Sequence, residues 1–353
     1  MDREITKSVQ DRYGAGAIAR EAELCCPVNY NGQYLEALPT EVIERDYGCG
    51  DPSVYIREGD VVLDLGSGTG KICFIAAQVV GPKGRVIGID MTDEMLDLSR
   101  GAAPQVAQNI GYANVEFKRG KIQDLKTDLA KLDHYLREHP VASAEDYQAL
   151  EEFVATQWRD APMIADNSID VIVSNCVLNL VSDTEKNALF AEIYRVLKPG
   201  GRVAVSDITS DRESPAEMKA DPDLWSGCIS GAMQEREFVA ALEAAGFHGT
   251  TVESRAEIPW QVVNGIEYRS VTLRAWKAVE NIDPNSAADC ELAAIYKGPW
   301  ASVRDDDGRE YVRGQRVPVS RNGYDRLTNE PYANHIIGTE PSPDGAPAKS
   351  ECC

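Results

Sequence analysis

Val61-Val62-Leu63-Asp64-Leu65-Gly66-Ser67-Gly68-Thr69-Gly70-Lys71 is the stretch on which the fold turns. Its first five residues are apolar except Asp64, and Gly59-Asp60 before them and a glycine cluster after them set their limits. They read as a short strand buried in a sheet. The glycines of G-x-G-x-G allow a sharp backbone turn and a close approach to a ligand, with no Cβ in the way. Residues 71–80 follow as a helix stopped by Gly81-Pro82. The same unit then recurs. Residues 85–90 form a second strand ending in Asp90, and a helix starts at Thr92 with Asp93 and Glu94 at its positive end. Further strands are expected at 114–118, 169–174 and 202–207. A helix is expected at 188–197, and Lys198-Pro199-Gly200-Gly201 reads as a turn. Strands alternating with helices predict an α/β, doubly wound parallel sheet. In such sheets ligands lie outside the carboxyl ends of the strands.

The flanks of this pattern differ from it. Residues 4–20 read as a short helix, followed by a loop holding Cys25-Cys26-Pro27. Residues 125–160 are charged and helix-favouring, and read as a helical insertion. His134 and His139 are five apart, a spacing that does not put two ligands on one helix face. After about residue 250 the alternation fades, and short strands are expected at 268–279, 291–296, 303–306 and 311–318. The expected organisation is an N-terminal helix with thiol-bearing loops (1–58), the ligand-binding domain with its insertion (59–255), a small β-rich C-terminal domain (256–338) and a flexible tail (339–353) ending in Cys352-Cys353.

The chain has 353 residues, 43% of them hydrophobic and 26% charged, as in an ordinary globular protein. No run of eighteen apolar residues occurs, which excludes a membrane-spanning helix. Met1-Asp2-Arg3-Glu4 is charged with no apolar core behind it, so no secretory signal and a cytoplasmic location are expected. The net charge of -21 repels phosphate backbones and anionic lipid, so neither nucleic acid nor a membrane is expected as a partner. In a reducing compartment the nine cysteines would stay free for metals, catalysis or redox work. A single buried cysteine is otherwise just a small hydrophobe.

Asp90 stands twenty residues beyond Gly70, at the end of the second strand, where a carboxylate can accept both hydroxyls of an adenosyl ribose. Asp64 can hold a ligand ammonium or its water. The loop is G-x-G-x-G rather than G-x-G-x-x-G, and a nicotinamide-binding Rossmann protein is the alternative. Asp64-Leu65-Gly66-Ser67-Gly68-Thr69-Gly70 followed by Gly88-Ile89-Asp90 resembles the class I S-adenosylmethionine-dependent methyltransferases. That resemblance implies a Rossmann-like methyltransferase domain over 59–255. It also implies a cofactor site drawn from Asp64, Gly66, Gly68, Gly70, Asp90, Met91, Ile122 and Asn175.

Three cysteines have contexts of their own: Cys49 in Asp46-Tyr47-Gly48-Cys49-Gly50-Asp51, Cys176 after the fourth strand, and Cys228 in Ser226-Gly227-Cys228-Ile229-Ser230-Gly231. Their neighbours suggest exposed, mobile loops, from which three thiolates can converge on a methyl donor. Three independent structural cysteines are the alternative. Tyr47-Gly48-Cys49-Gly50, the cofactor loop, Gly88-Ile89-Asp90-Met91-Thr92, Val173-Ser174-Asn175-Cys176-Val177-Leu178-Asn179-Leu180-Val181 and Ser226-Gly227-Cys228-Ile229-Ser230-Gly231-Ala232 together resemble the arsenite S-adenosylmethionine methyltransferases. The resemblance covers roughly residues 40–255 apart from the insertion, and continues loosely beyond. It implies methylation of arsenite and methylarsenite in arsenic detoxification. Cys49, Cys176 and Cys228 would be the arsenic ligands and Cys73 a redox partner of Cys49. Cys25 or Cys26 matches a further family cysteine. Thioredoxin or glutathione would restore the thiols. A methyltransferase for selenium, antimony or an organic thiol is the second reading. A non-enzymatic thiol metal-binding protein is the third, although a zinc site needs a fourth ligand and usually shows close C-x-x-C pairs, which this chain lacks.

Overall fold

β1 (Val61–Leu65) is the centre from which the sheet grows. Leu63 and Leu65 point to one face and Val62 to the other, the alternation of a strand covered on both sides. The structure is a computed structural model that describes residues 2–21, 24, 28–278 and 289–340. Cys25, Cys26, Cys352 and Cys353 lie outside the described residues, as does nearly all of the expected tail.

Before the sheet come α1 (Asp2–Ile18), α2 (Gly32–Leu35) and α3 (Thr40–Glu44). Then follow β1, α4 (Lys71–Val80), β2 (Arg85–Asp90), α5 (Asp93–Ile110) and β3 (Val115–Arg119). The insertion carries α6 (Leu129–Glu138) and α7 (Ala144–Asp160), after which β4 (Ile169–Asn175), α8 (Lys186–Val196) and β5 (Leu197–Ser210) complete the parallel core. Its order is β3-β2-β1-β4-β5, every neighbour pair parallel, with Val62 opposite Val86 on one side and Val171 on the other. One face packs Leu63, Leu65, Ile172 and Val203 against Leu189, Phe190 and Ile193 of α8. The other packs Val62, Val86 and Val171 against Ile72, Cys73, Ala76 and Val80 of α4.

After β5 come α9 (Ala216–Lys219), α10 (Pro222–Ser226), α11 (Glu235–Ala244), β6 (His248–Arg255), β7 (Gln261–Val263) and β8 (Ile266–Trp276). β8 and β6 extend the same sheet in the order β5-β8-β6, and β7 pairs antiparallel with β8. The boundary expected at 255/256 therefore falls elsewhere: the chain divides after Ala275, into Met1–Ala275 and Trp276–Cys353. The reason is that Val271, Leu273 and Ala275 of β8 are buried in the main core. The second unit holds β9 (Asp289–Tyr296), β10 (Ser302–Arg304), β11 (Glu310–Val312), β12 (Arg316–Val319), α12 (Arg321–Thr328) and β13 (Ile336–Thr339). β9 is flanked antiparallel by β12 and β13, around Leu292, Ala294, Tyr296, Val319, Leu327 and Ile336.

The insertion is a pair of helices with no buried residue in either. Its own contacts hold it together: Tyr135 stacks on His139 at 4.4 Å and on Phe153 at 4.0 Å, and the Trp158 indole donates to Thr127 Oγ1 at 2.8 Å. A capping box of Ser143 and Asp146 starts α7. Among the described residues, no helix is long and apolar enough to cross a membrane.

Candidate active site

Strand order reverses between β1 and β4, which opens a crevice beyond their carboxyl ends. Asp64, Gly66, Gly68, Asp90, Met91, Ile122 and Asn175 all line this cleft. Gly70 is not among the lining residues; it sits against the Phe117 and Phe74 rings, closer than any Cβ allows. At Gly68, with φ +50, the nearest atom to an added Cβ is Met95 Sδ at 3.9 Å, so the loop leaves open space on its ligand side. Asp90 Oδ2 accepts from Gly68 N and Oδ1 from Thr92 N, each at 2.8 Å. Asp90 also lines the cleft, so the carboxylate held by these amides borders the space for a ligand. Burial pushes the Asp90 carboxyl up, against the opposing pull of those N–H donors. Ser67 Oγ is buried beside them without a hydrogen-bond partner. Open space at Gly68, a carboxylate on the cleft wall and an orphaned hydroxyl fit an adenosyl ligand.

Asp64 accepts from the Cys73 thiol at 3.2 Å, and burial pushes its carboxyl up to about 7. Cys73 is fully enclosed, and burial followed by the Asp64 charge pushes its thiol well up. It packs with Val62, Val86 and Ile72 under the sheet. Cys49, Cys176 and Cys228 belong to another cluster, with Ile208, Ile229 and Tyr268. The structure thus brings three of the four predicted thiols together and leaves Cys73 with the cofactor-side carboxylate.

The three clustered thiols are buried, at 6%, 7% and 4% exposure for Cys49, Cys176 and Cys228, which corrects the expectation of exposed, mobile loops. Close packing is the reason. A Cβ at Gly48 would lie 2.3 Å from Asn175 Nδ2, and one at Gly50 would lie 2.5 Å from Ser206 Oγ. These glycines permit contact rather than motion. The Cys228 thiol donates to Cys176 O at 3.3 Å, and the sulfurs of Cys49 and Cys176 lie within 4.8 Å of each other. Burial pushes the Cys49 thiol up and the Cys176 thiol well up. Cys176 and Cys228 have φ of 61° and 59°, in the left-handed region that side chains other than glycine and asparagine seldom occupy. The other non-glycine residues with positive φ among those described are Asn167 and Asn264, a type that tolerates it.

Each thiol-bearing loop is pinned by a polar hub. Asn175 Oδ1 accepts from Cys49 N at 2.9 Å and Gly50 N at 3.2 Å, while Nδ2 donates to Gly50 O at 2.7 Å and Tyr30 Oη at 3.0 Å. That fills the amide's hydrogen-bonding capacity, so Asn175 borders the cofactor cleft with its polar atoms committed to the Cys49 loop. Ser270 on β8 donates to Cys49 O at 2.5 Å. Lys186 donates to Gly231 O at 2.8 Å, at the end of the Cys228 turn. Asp207, at the carboxyl end of β5, accepts from Leu178 N at 2.9 Å, Asn179 Nδ2 at 2.7 Å and Ile208 N at 2.8 Å. Burial pushes its carboxyl up to about 7. One of its oxygens and the sulfurs of Cys49 and Cys176 all lie within 4.8 Å of one another.

Sequence reading missed Asp207, Asn179, Ser270 and Lys186, and also Tyr13, whose Oη lies 3.7 Å from Cys228 Sγ and which lines the cofactor cleft. For Asp207 a signal existed, since a carboxylate at the carboxyl end of a parallel strand faces the ligand side. Tyr13, on a helix remote in sequence, carried none.

The family model described as a methyltransferase domain matches residues 56–152 and 144–246, and the model of a domain of unknown function, DUF8838, matches residues 284–353. An arsenite methyltransferase of Aquipseudomonas alcaligenes is 31% identical over 94% of this chain and 89% of its own length. One of Mus musculus is 32% identical over 97% of this chain and 87% of its own. The crystal structure of an arsenic(III) S-adenosylmethionine methyltransferase from Chlamydomonas reinhardtii matches with a TM-score of 0.60 and 28% identity, covering 89% of this chain and 97% of that one. Sharing their fold and nearly their whole length, this S-adenosylmethionine-dependent methyltransferase belongs to the arsenite methyltransferase family.

Proposed function

We propose that the enzyme methylates trivalent arsenic held by Cys49, Cys176 and Cys228, with S-adenosylmethionine bound by the glycine loop and Asp90. The observation that carries this reading is the convergence of three buried thiols, two of them on left-handed backbone, beside the cofactor cleft. Unusual backbone held in place by its surroundings is characteristic of functional sites. Soft As(III) selects sulfur over the oxygen and nitrogen ligands that abound elsewhere in the chain.

Cys49 and Cys176 are neutral at rest, because burial favours the uncharged form. Arsenous acid needs no base to bind: each As–S bond sends a thiol proton away on a departing hydroxide, as water. Three sulfurs then form a pyramid whose open side carries the arsenic lone pair. Asn175, Asp207 and Lys186 hold the three loops, so the lone pair keeps its direction, and orientation of this kind is a large part of catalysis by proximity. In the cleft the cofactor supplies an electrophilic methyl group. Methylation raises arsenic formally to As(V). A thiol pair returns it to As(III) and becomes a disulfide, which glutathione or thioredoxin reopens. Pairing Cys49 with Cys73, as the family resemblance implies, requires the Asn175 clip to open first.

Incubation with arsenite and a methyl-labelled donor tests the reading. Labelled methylarsenic species are expected, with repeated turnover only when glutathione or thioredoxin is present. A protein that binds the donor but transfers no label to arsenite under either condition would refute it. Asp90→Ala is expected to weaken cofactor binding by roughly 10–100-fold, the loss of a hydrogen-bonded charge. Calorimetry reads this directly, and an unchanged affinity would remove Asp90 from the cofactor site.

A further inference from the structure

Building on the arsenic reading above, we propose that the Asp207 carboxylate is the counter-charge for the cation that forms on arsenic during methyl transfer. The chemistry requires such a cation. An arsenic atom bonded to three sulfurs is neutral. Its lone pair forms the As–C bond, the carbon–sulfur bond of the donor breaks, and that bond's electron pair stays on the donor sulfur. The positive charge of the sulfonium has then moved onto arsenic.

Asp207 is placed to meet it. A carboxylate oxygen lies within 4.8 Å of both Cys49 Sγ and Cys176 Sγ, so an arsenic atom bonded to these sulfurs sits beside it. The residue is fully buried, where a charge acts through a low dielectric. Its hydrogen bonds come from neutral donors: Leu178 N, Asn179 N, Asn179 Nδ2 and Ile208 N. All four donate to it, an arrangement shaped for the ionised form. Lys186, the cation whose charge it feels, binds Asp183 Oδ1 at 2.6 Å and Gly231 O at 2.8 Å instead. Lys186 therefore does not neutralise it by direct pairing, and above about pH 7 the carboxylate carries its charge.

A negative charge within 4.8 Å of the Cys49 and Cys176 sulfurs disfavours a second negative charge on either of them. A buried carboxylate beside two of the thiols is counterproductive if its task is to ionise them. It is useful if the thiols react as neutral groups and positive charge appears later. Stabilisation by a fixed, water-excluded charge acts on the transfer step and not on arsenite binding.

Asp207→Asn and Asp207→Glu in the full chain separate this role from loop anchoring. Arsenite affinity is measured by equilibrium dialysis, cofactor affinity by calorimetry, and methyl transfer by single turnover with labelled donor. Asp207→Asn is expected to bind arsenite and cofactor within about threefold of wild type yet transfer methyl about 100-fold more slowly. Asp207→Glu, which keeps the charge, is expected to recover much of the rate. The proposal is overturned if Asp207→Asn transfers at the wild-type rate, if its rate falls only in step with arsenite affinity, or if both variants lose rate equally while still binding arsenite. A chain that folds with neither substitution would make Asp207 a structural residue and overturn it too. Failure of the wild-type protein to bind or methylate arsenite is a separate result and strikes the parent reading alone.

Discussion

Cys176→Ser is expected to abolish methyl transfer to arsenite and to methylarsenite alike. Cys176 directly follows β4, its sulfur lies within 4.8 Å of the Cys49 sulfur, and its carbonyl accepts from the Cys228 thiol at 3.3 Å. Serine keeps the shape but replaces a soft sulfur with a hard oxygen, which As(III) binds poorly. Loss of the outer partners of metal ligands typically costs about 10–100-fold, and loss of a ligand itself should exceed that. Cys228→Ser is expected to behave the same way, whereas Cys49→Ser is not. Each methyl group on arsenic replaces one sulfur ligand, so methylarsenite needs two thiols and leaves Cys49 dispensable. Cys49→Ser should therefore lose the first methylation and keep part of the second. Separating the methylated products by chromatography, with each substrate supplied in turn, reads the pattern. Full activity of Cys176→Ser on arsenite in the presence of glutathione would end the three-thiol mechanism.

Asn175→Ala is expected to imitate Cys49→Ser without touching sulfur. Its side chain makes four hydrogen bonds, of which three hold the segment Cys49-Gly50 and one holds Tyr30. Removing it leaves two N–H groups without their acceptor, while Ser270 still grips the Cys49 carbonyl and Tyr30 Oη the Gly50 carbonyl. Methylation of arsenite should fall about 10–100-fold, the usual scale for a partner that orients a ligand, while methylarsenite suffers less. Cofactor affinity distinguishes the alternatives. If Asn175 acts mainly on the cofactor, calorimetry will show weakened binding and both substrates will slow together.

The parallel core was legible because its signals are local. Val61 to Leu65, the glycine loop and Asp90 lie within thirty residues, and short-range pattern is enough to place them on one rim. β6 and β8 were harder to assign, because partly exposed sequence after residue 250 does not tell which sheet it will join. The thiols illustrate both outcomes. Their convergence was anticipated from motif and topology, but Gly48 and Gly50 suggested mobility, since nothing local reveals that Asn175 and Ser206 occupy the space beside them. Asp207 was legible only as a carboxylate toward the carboxyl end of a parallel strand, not as a neighbour of two cysteines. A lone acidic residue in an apolar strand acquires meaning only when Asn179 and two cysteines from other loops surround it.

Cys176 and Cys228 hold left-handed backbone, a conformation that costs a residue with a Cβ roughly 1–2 kcal/mol and costs glycine almost nothing. Backbone strain taken alone would therefore favour glycine at both positions. The two positions record a conflict between durability and chemistry, settled in favour of chemistry. A stabilisation campaign that ranks substitutions by backbone comfort would favour erasing these thiols early, and with them the sulfurs to which the proposed function assigns arsenic.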